Sequence, residues 1–377
     1  MLSETDQDQW YVLGAGAMGR LWAATLCEAG NEVVLIRRAV SESTETSANL
    51  GSGEQHKNAR TTLAYQPSPE KTSTPGLYDV SCCSLDKLND GSVRNLIVAT
   101  KSYDVLAAVE GAINKLCGNA FVICLSNGLG YQQDLLDLLT NRGNTIQLHW
   151  AICSDGAVPR LLSSSSELIY DLGVTRTGQG TVVLGQLDDS KPIESCHASN
   201  SLIDLLNRGG LSASQAESIS AALWKKFFIN CAINGLTTIF RCKNGELLTD
   251  QRYHEKFERL SHELNTLYEL LDIEELTPKI KSGSAQKNGA IKQSKPGQNK
   301  GDGGRSRSVY EEATEVARAT ASNRSSMLQD FEASRRNELE FLNHYCVKLL
   351  EAFSLVASEN RALVERIDAL YSKQGEP

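Results

Sequence analysis

The chain has 377 residues, of which 41% are hydrophobic and 22% are charged, and its formal net charge at pH 7 is −8. Globular domains usually hold roughly 100–200 residues, so this length predicts two of them. The negative charge disfavours a nucleic acid or an anionic membrane as the main partner. The first residues lack the basic and apolar regions of a secretory signal, and polar residues interrupt every apolar run before the roughly 20 residues of a membrane span. We therefore expect a cytoplasmic protein.

The sequence holds ten cysteines and six histidines without C-x-x-C or H-E-x-x-H spacing. Scattered cysteines within apolar segments favour reduced core thiols over disulfides or a metal site. His254 and His262 are eight residues apart on a predicted helix, but no clustered cysteines complete a zinc site. The sequence therefore predicts no metal.

From Trp10 to about Leu125, short β-branched and apolar runs alternate with amphipathic stretches, which is typical of a doubly wound parallel sheet. The unbroken apolar character of the runs suits strands that helices cover on both faces. The first amphipathic stretch, Leu21–Ala29, predicts a helix. The predicted strands are Tyr11–Leu13, Glu32–Ile36, Leu96–Thr100 and Ala120–Leu125.

The segment Ile146–Leu184 predicts further strands that close the first domain, with antiparallel pairing as one option; they include Leu168–Tyr170 and Thr181–Leu184. Beyond Ser212, long helical patterns with few strand signals predict an almost wholly helical second domain. The predicted domains are thus an α/β domain over 1–211 and a helical domain over 212–377. The helical patterns are Ala221–Ile239, Tyr253–Leu271, Val309–Ala333 and Arg335–Val364.

The segment Lys279–Ser308 differs from both predicted domains in composition. It is rich in Gly, Ser, Lys, Gln and Asn, has almost no large apolar side chains, and holds many more basic than acidic residues. Such a segment buries too little apolar surface to offset its ordering entropy, so it predicts a disordered insertion between two helices. The alternative is a basic arm that contacts an acidic partner or RNA.

A glycine motif directly follows the first predicted strand and opens a helix; it reads Gly14-Ala15-Gly16-Ala17-Met18-Gly19. In that context Gly14 permits a tight turn, Gly16 lets the backbone approach a pyrophosphate, and Gly19 allows close packing of helix and strand. The start of the helix supplies free N–H donors and the positive end of its dipole. The motif therefore predicts a dinucleotide site in a Rossmann-type domain; the alternative is a plain glycine turn.

The end of the second predicted strand reads Ile36-Arg37-Arg38. Sites for NAD usually carry an acidic residue there, which accepts hydrogen bonds from the ribose. Guanidinium groups would instead pair with the 2′-phosphate of NADP. The sequence thus favours NADPH as the cofactor, unless both arginines are solvated surface charges.

Two polar residues follow later strands of the predicted sheet: Lys101 comes after Leu96–Thr100, and Asn127 comes after the strand that ends at Leu125. Ligands of such sheets bind outside the carboxyl ends of the strands, so both residues are candidates for binding. Each also has an ordinary explanation, because Asn-Gly is a common turn signal and a lysine after a strand is often solvated.

The strongly apolar pattern Ala221–Ile239 carries three polar residues at four-residue spacing: Lys226, Asn230 and Asn234. That spacing stacks them on one helical face. Buried amide or ammonium groups are costly without partners, so this polar stripe must meet other polar groups, a ligand or water. We favour a stripe that faces a ligand over a structural network.

Several separated segments together resemble the ketopantoate reductase family, over nearly the whole chain outside Lys279–Ser308 and some surface loops. In the family's order they are Gly14–Gly19, the Lys101 segment, Ser126–Gly128, Leu223–Asn234, Asn244–Leu247, Ser325–Asp330 and Asn337–Asn343. This joint pattern is far more specific than the glycine motif alone.

The resemblance implies a catalytic lysine at Lys226, beside the basic Lys225, and a substrate-binding glutamate at Glu338. We expect both to be catalytic, since Glu338 could hydrogen-bond a substrate hydroxyl and orient the lysine. Without the resemblance, Glu338 would be interpreted as part of a solvated, charged helix beside Arg335 and Arg336. The residues implied for substrate binding are Asn127, Asn230, Asn234, Asn323 and Ser326. Those implied for the cofactor NADPH are Gly14, Ala15, Gly16, Ala17, Met18, Gly19, Arg38, Lys101 and Asn127, with Arg37 as the alternative to Arg38.

Hydride transfer to a ketone carbon leaves negative charge on oxygen, so such a site needs a cation or a proton donor there, and Lys226 fits that need. The resemblance implies reduction of 2-dehydropantoate (ketopantoate) to pantoate by NADPH, a step of pantothenate and coenzyme A biosynthesis, in a cleft between the two domains. The alternatives are a reductase of another small 2-keto acid and a non-catalytic dinucleotide sensor of the same fold.

Overall fold

The computed structural model describes residues 9–37, 59–67, 75–140, 145–159, 172–187, 197–271 and 307–374. These residues form two compact units. The second unit consists of Gly128–Gly130 and the residues from Ser220 onward, and the first unit holds the other described residues up to Ile219. The sequence pattern puts the domain boundary after residue 211, whereas the contacts divide the chain eight residues later.

The first unit is built on a single sheet. Its described strands are β1 (Gln9–Leu13), β2 (Glu32–Ile36), β3 (Ala59–Gln66), β4 (Gly76–Cys83), β5 (Val93–Val98), β6 (Leu116–Cys124), β7 (Gln147–Cys153), β8 (Gly156–Pro159), β9 (Leu172–Gly178), β10 (Val182–Gly185) and β11 (Ala213–Gln215). They lie in the order β11-β10-β7-β6-β5-β1-β2-β4-β3-β9-β8. Its described helices are α1 (Ala17–Glu28), α2 (Val105–Ala112), α3 (Gln132–Thr140) and α4 (His197–Arg208).

The centre of the sheet agrees with the sequence pattern. Strands β2, β1, β5, β6 and β7 pair in parallel, and all four predicted strands of this region occur. The segment Ile146–Leu184 does close the sheet with antiparallel pairs, because β10 pairs with β7 and β8 pairs with β9. The predicted strand Leu168–Tyr170 lies outside the described residues.

The sequence pattern missed the antiparallel pair of β3 and β4, which extends the sheet beyond β2. Both strands mix polar and apolar residues, and β4 is only partly buried, so neither has the continuous apolar run of a central strand. Helix α1 begins at Ala17, four residues before the predicted start, since the glycine turn leads directly into it. Its residues Leu21, Trp22 and Leu26 are fully buried in the core of this unit.

The second unit is mainly helical over its described residues, as predicted, with irregular segments between its helices. Its helices are α5 (Ile219–Phe240), α6 (Glu246–Thr249), α7 (Gln251–Leu271), α8 (Val309–Ala319), α9 (Ser326–Glu332), α10 (Asn343–Ala352) and α11 (Ser358–Ser372). The core of the unit joins Phe227 and Phe228 of α5 to residues of the other long helices. A Cβ on Gly235 would lie 2.6 Å from the Leu363 side chain, so glycine permits the close packing of α5 and α11.

Two long helical patterns were predicted wrongly as continuous. Val309–Ala333 is interrupted between Ala319 and Ser326, where the Ser325 side chain caps the start of α9 by accepting the Leu328 N–H. Arg335–Val364 contains an irregular segment, a 3-10 turn at Leu339–Phe341 and then α10 and α11. Asn337 Oδ1 accepts the Leu339 N–H at 2.9 Å, a local bond that competes with the helical backbone bonds.

The predicted insertion Lys279–Ser308 lies outside the described residues except for its last two residues. These two are part of the fold. Ser308 caps α8 in a reciprocal arrangement with Glu311, and Arg307 pairs with Glu315. Arg307 and Ser308 were therefore wrongly included in the predicted insertion. Composition alone could not exclude Ser308, because serine is common both in solvated loops and at helix caps.

Candidate functional site

The glycine turn between β1 and α1 is fixed by steric contact. Gly14 has a φ of +106°, and a Cβ there would lie 2.9 Å from the backbone of Ala99 and Thr100. A Cβ on Gly19 would lie 1.9 Å from the Gly14 carbonyl oxygen. Backbone atoms cannot move aside as a flexible side chain can, so both positions require glycine for the fold itself.

Gly16 differs from the other two glycines of the motif. No protein atom lies within 4 Å of a Cβ at this position, so the fold does not require glycine there. Gly16 precedes α1, which has no side-chain cap and no acidic residue in its first turn. The first N–H groups of the helix are therefore accessible to an anion, and the open space at Gly16 lets one approach closely.

Arg20 directly follows the motif and was not predicted as a candidate from the sequence. It donates from Nε to the Ala15 carbonyl at 2.8 Å and from Nη1 to the Gly173 carbonyl at 3.1 Å. Burial, and then the positive charge of Arg37, lower the pKa of Arg20. The one available signal was its position next to the motif.

Arg37 lies at the end of β2 and donates its backbone N–H to the Cys83 carbonyl at 2.9 Å. Its charge is close enough to that of Arg20 for the two to repel each other. Two repelling cations would be stabilised by an anion between or beside them. Arg38, the first choice for the phosphate of NADP, lies outside the described residues.

Lys101 and Asn127 both lie near the carboxyl ends of central strands. Lys101 is half-buried and comes three residues after β5. This strand ends at Val98, two residues before its predicted end at Thr100. Asn127 is half-buried three residues after β6, and its side chain has no hydrogen-bond partner within the described ranges. Ser126 ties the two strand ends together, since its hydroxyl donates to the Thr100 carbonyl at 2.6 Å.

The polar stripe on α5 is present as predicted by the four-residue spacing. Asn234 is 7% exposed and Asn230 is half-buried. Neither side-chain amide has a hydrogen-bond partner among the residues that the structure describes. Neither amide is among the fully buried polar atoms that lack a partner, so both keep some contact with solvent and form no closed network within the described residues.

Lys226 and Lys225 have different environments, as their 100° separation around the helix predicts. Lys226 is half-buried on the face of the stripe. The Lys225 side chain is 51% exposed, and its Nζ lies 2.8 Å from Glu312 Oε1. Lys225 therefore points away from the stripe.

Asn323 and Ser326 flank the start of α9. Asn323 is half-buried and Ser326 is exposed at the first position of the helix. The structure connects this region to α5, because Thr237 Oγ1 donates to Ser325 Oγ at 2.7 Å. Thr237 and Ser325 were not predicted from the sequence; the signals were a hydroxyl three residues after Asn234 and a serine directly before a helical pattern.

The charged neighbours of Glu338 suggested a solvated helix, but Glu338 does not lie on a helix. It is 5% exposed in the irregular segment before the 3-10 turn, while Arg335 and Arg336 are exposed and pair with Asp330 and Glu340. Burial of a carboxyl group points to a specific role. The segment continues into Asn343, whose Nδ2 donates to the Cys231 carbonyl of α5 at 2.9 Å.

The glycine segment that follows Asn127 packs on the same 3-10 turn. Gly128 has a φ of +79°, and a Cβ there would lie 2.6 Å from the Phe341 carbonyl oxygen. Leu129 donates its N–H to that oxygen at 2.9 Å and is buried in the helical core. The Asn-Gly pair is thus more than a surface turn.

Nine cysteines of the described chain are free, and Cys196 lies outside it. Burial raises the pKa of the Cys124, Cys231 and Cys346 thiols, as expected of core residues. No group of three or more metal-binding side chains occurs within the described ranges. Among the helices that the structure describes, none is both long and apolar enough to cross a membrane.

A sheet with a glycine turn at its central strand, followed by a helical unit with a polar stripe on its first long helix, defines a two-domain protein of the Rossmann type. Two family models match it: "Ketopantoate reductase PanE/ApbA" over residues 10–189 and "Ketopantoate reductase PanE/ApbA C terminal" over residues 218–371. The chain therefore belongs to the ketopantoate reductase family, a family of oxidoreductases.

Individual relatives agree over almost the full length. The chain is 25% identical to a 2-dehydropantoate 2-reductase of Yersinia pestis, with 94% of this chain and 93% of the relative covered. It is 27% identical to a 2-dehydropantoate 2-reductase of Vibrio cholerae, with 95% and 96% covered.

Solved structures share the fold at lower identity. A ketopantoate reductase of the PanE/ApbA family from Ralstonia eutropha is 19% identical with a TM-score of 0.67, covering 97% of this chain and 99% of that one. A D-mandelate dehydrogenase with NADH and anilino(oxo)acetate is 18% identical with a TM-score of 0.70 and the same coverage.

Proposed function

We propose that this protein reduces 2-dehydropantoate to pantoate with NADPH, a step of pantothenate and coenzyme A biosynthesis. The observation that carries the proposal is the α5 stripe, in which the buried Asn234 amide and the half-buried Asn230 amide, neither with a partner in the described chain, share a face with Lys226. A non-catalytic dinucleotide sensor would have no need for such a face. Family membership and the name of the full-length relatives support the same reaction.

The first unit is proposed to bind NADPH. The turn Gly14–Gly19 and the open start of α1 suit a pyrophosphate, because backbone N–H groups point at it and no side chain intervenes at Gly16. Arg38 is proposed to pair with the 2′-phosphate, with Arg37 and Arg20 adding positive charge nearby. Lys101 and Asn127 are proposed to contact the rest of the cofactor.

The residues proposed for the substrate lie on several elements. Asn230 and Asn234 would bind polar groups of the keto acid, and Asn323 with Ser326 would bind near its carboxylate. Glu338, which is 5% exposed, would accept a hydrogen bond from the substrate hydroxyl. Such fixed partners orient a small flexible substrate before reaction.

Lys226 is proposed to act at the carbonyl oxygen of the substrate. When bound, NADPH supplies the hydride to the adjacent carbon. The Lys226 ammonium stabilises the negative charge that develops on the oxygen and gives it a proton. Its half-buried position lowers the screening of that charge by water.

A second candidate is the reduction of another small 2-keto acid. The D-mandelate dehydrogenase of similar fold supports it, since mandelate is the 2-hydroxy acid that such a reduction would yield. That structure holds NADH, so the same neighbour also makes NADH the alternative cofactor. Pocket shape decides between keto acids of similar polarity.

Steady-state oxidation of NADPH, followed by absorbance with 2-dehydropantoate, phenylglyoxylate and other 2-keto acids, tests the proposal. We expect the highest kcat/KM with 2-dehydropantoate and a clear preference for NADPH over NADH. A higher kcat/KM with phenylglyoxylate would favour the second candidate. No turnover with any keto acid, in a protein that binds NADPH, would favour a sensor.

A further inference from the structure

The α8–α9 loop (Thr320–Ser325) carries Asn323 and leads into Ser326. Three hydrogen bonds attach it to the turn before α6. The Asn323 carbonyl accepts the Asn244 N–H at 3.0 Å, and the Ala321 carbonyl accepts the Gly245 N–H at 3.1 Å. Asn244 Nδ2 also donates to Thr320 Oγ1 at 2.9 Å. The first part of the loop is therefore fixed by backbone and side-chain bonds together.

Close packing also stabilises the contact between the α8–α9 loop and the turn before α6. Asn244 is 8% exposed, and a Cβ on Gly245 would lie 2.6 Å from the Ala321 Cβ. Glycine is thus needed for the turn and the loop to approach each other. The Asn-Gly pair has a structural reason at this position.

The end of the loop is held by one side-chain contact to α5. Thr237 is fully buried, and its Oγ1 lies 2.7 Å from Ser325 Oγ, which in turn accepts the Leu328 N–H at 3.2 Å. Thr237 comes eleven residues after Lys226, which is about 20° around the helix. It therefore extends the polar stripe of α5 to the residue that precedes Ser326.

We propose that Thr237 is a positioning residue: its hydroxyl fixes the α8–α9 loop against α5, so that Asn323 and Ser326 keep one position relative to Asn230 and Asn234. This inference rests on the proposed function, because it takes these four residues as the substrate-binding set. Thr237 itself is buried and bonded to protein groups, and acts through Ser325. Misplacement of binding groups by about 1 Å is enough to weaken productive substrate binding strongly.

Thr238 provides a matched control. It is also fully buried on α5, and its Oγ1 donates to the Asn234 carbonyl of its own helix at 2.8 Å. Thr237 Oγ1 also lies 3.0 Å from that carbonyl and from the Ile233 carbonyl, but its single proton has its shortest contact with Ser325. Thr237→Val and Thr238→Val therefore remove equivalent buried hydroxyls, but only the first breaks the contact to the loop.

We expect Thr237→Val to raise the KM for 2-dehydropantoate about tenfold, as loss of one buried hydrogen bond allows, with little change in the KM for NADPH. Thr237→Ser should restore the lower KM, since it keeps the hydroxyl. Thr238→Val should match the unaltered protein in both constants. An equal rise of the substrate KM in the two valine variants would overturn the inference.

Hydrogen–deuterium exchange of residues 323–332 separates this inference from the proposed function. Faster exchange in Thr237→Val than in Thr238→Val is expected, because the cap of α9 loses its support. Equal exchange in the two variants would overturn the inference whatever the substrate is. If the unaltered protein fails to reduce 2-dehydropantoate, the proposed function fails, and the exchange comparison still decides whether Thr237 holds the loop.

Discussion

The glycine turn of the first unit and the polar stripe of the second are both candidate binding features, but they are built in opposite ways. The turn consists of consecutive residues, and two of its glycines are required by contacts of less than 3 Å with backbone atoms. The stripe consists of three side chains at four-residue spacing, of which only the two amides lack partners within the described chain, and the residues proposed to complete it come about a hundred residues later. In the glycine turn the same residues thus hold the fold and are proposed to bind the cofactor. In the stripe, the residues proposed to bind the substrate are not the ones that hold the fold.

The largest expected effect is that of Gly19→Ala. Its Cβ would lie 1.9 Å from the Gly14 oxygen, so we expect a destabilisation of more than about 4 kcal/mol and loss of soluble folded protein. Gly16→Ala has no such contact and should keep its melting temperature while NADPH binding weakens. Thermal unfolding and cofactor titration of both variants check this; equal melting temperatures would contradict the steric difference between the two glycines.

Lys226→Ala tests the stripe by chemistry rather than by folding. We expect kcat to fall by about 10²–10⁴-fold, as is typical for loss of a general acid, while NADPH affinity stays nearly unchanged. Lys225→Ala should retain turnover, since Lys225 points to Glu312 instead. Steady-state kinetics and separate cofactor titrations are the measurements, and similar kcat values for the two variants would rule out the proposed role of Lys226.

Arg38→Ala tests the cofactor preference next to the glycine turn. Loss of a charge-assisted hydrogen bond costs roughly 1.5–3 kcal/mol, so NADPH affinity should fall by about one to two orders of magnitude. NADH affinity should change little. The ratio of the two dissociation constants is the measurement, and equal use of both cofactors by the unaltered protein would refute the preference itself.

Asn234→Leu separates binding from folding most directly. The Asn234 amide lacks a partner in the described residues and keeps some contact with solvent, so its replacement should change the free energy of unfolding by no more than about 1 kcal/mol. Substrate binding should weaken at the same time. Denaturant unfolding and the substrate KM check both effects; a large loss of stability would show that the amide has a structural partner.

The sequence predicted best those features that depend on neighbouring residues or on helical period. These include the turn Gly14–Gly19, the parallel centre of the sheet, and the stripe of Lys226, Asn230 and Asn234. The burial of Glu338 and the contact of Thr237 with Ser325 depend on residues far apart in the chain, so no local pattern revealed them. The missed strands β3 and β4 lack an apolar run, because their burial is only partial.

The segment Gly128–Gly130 bears on how this protein can be dissected. It belongs to the helical unit, whereas its chain neighbours Asn127 and Tyr131 belong to the sheet unit. Leu129 is 6% exposed within the helical core and bonds to Phe341. A C-terminal fragment that begins at Ser220 would lack Leu129 and would expose the apolar residues that Leu129 covers. The helical unit is compact, but it is not one continuous stretch of the sequence, so this fragment should be less stable than the same unit in the whole chain.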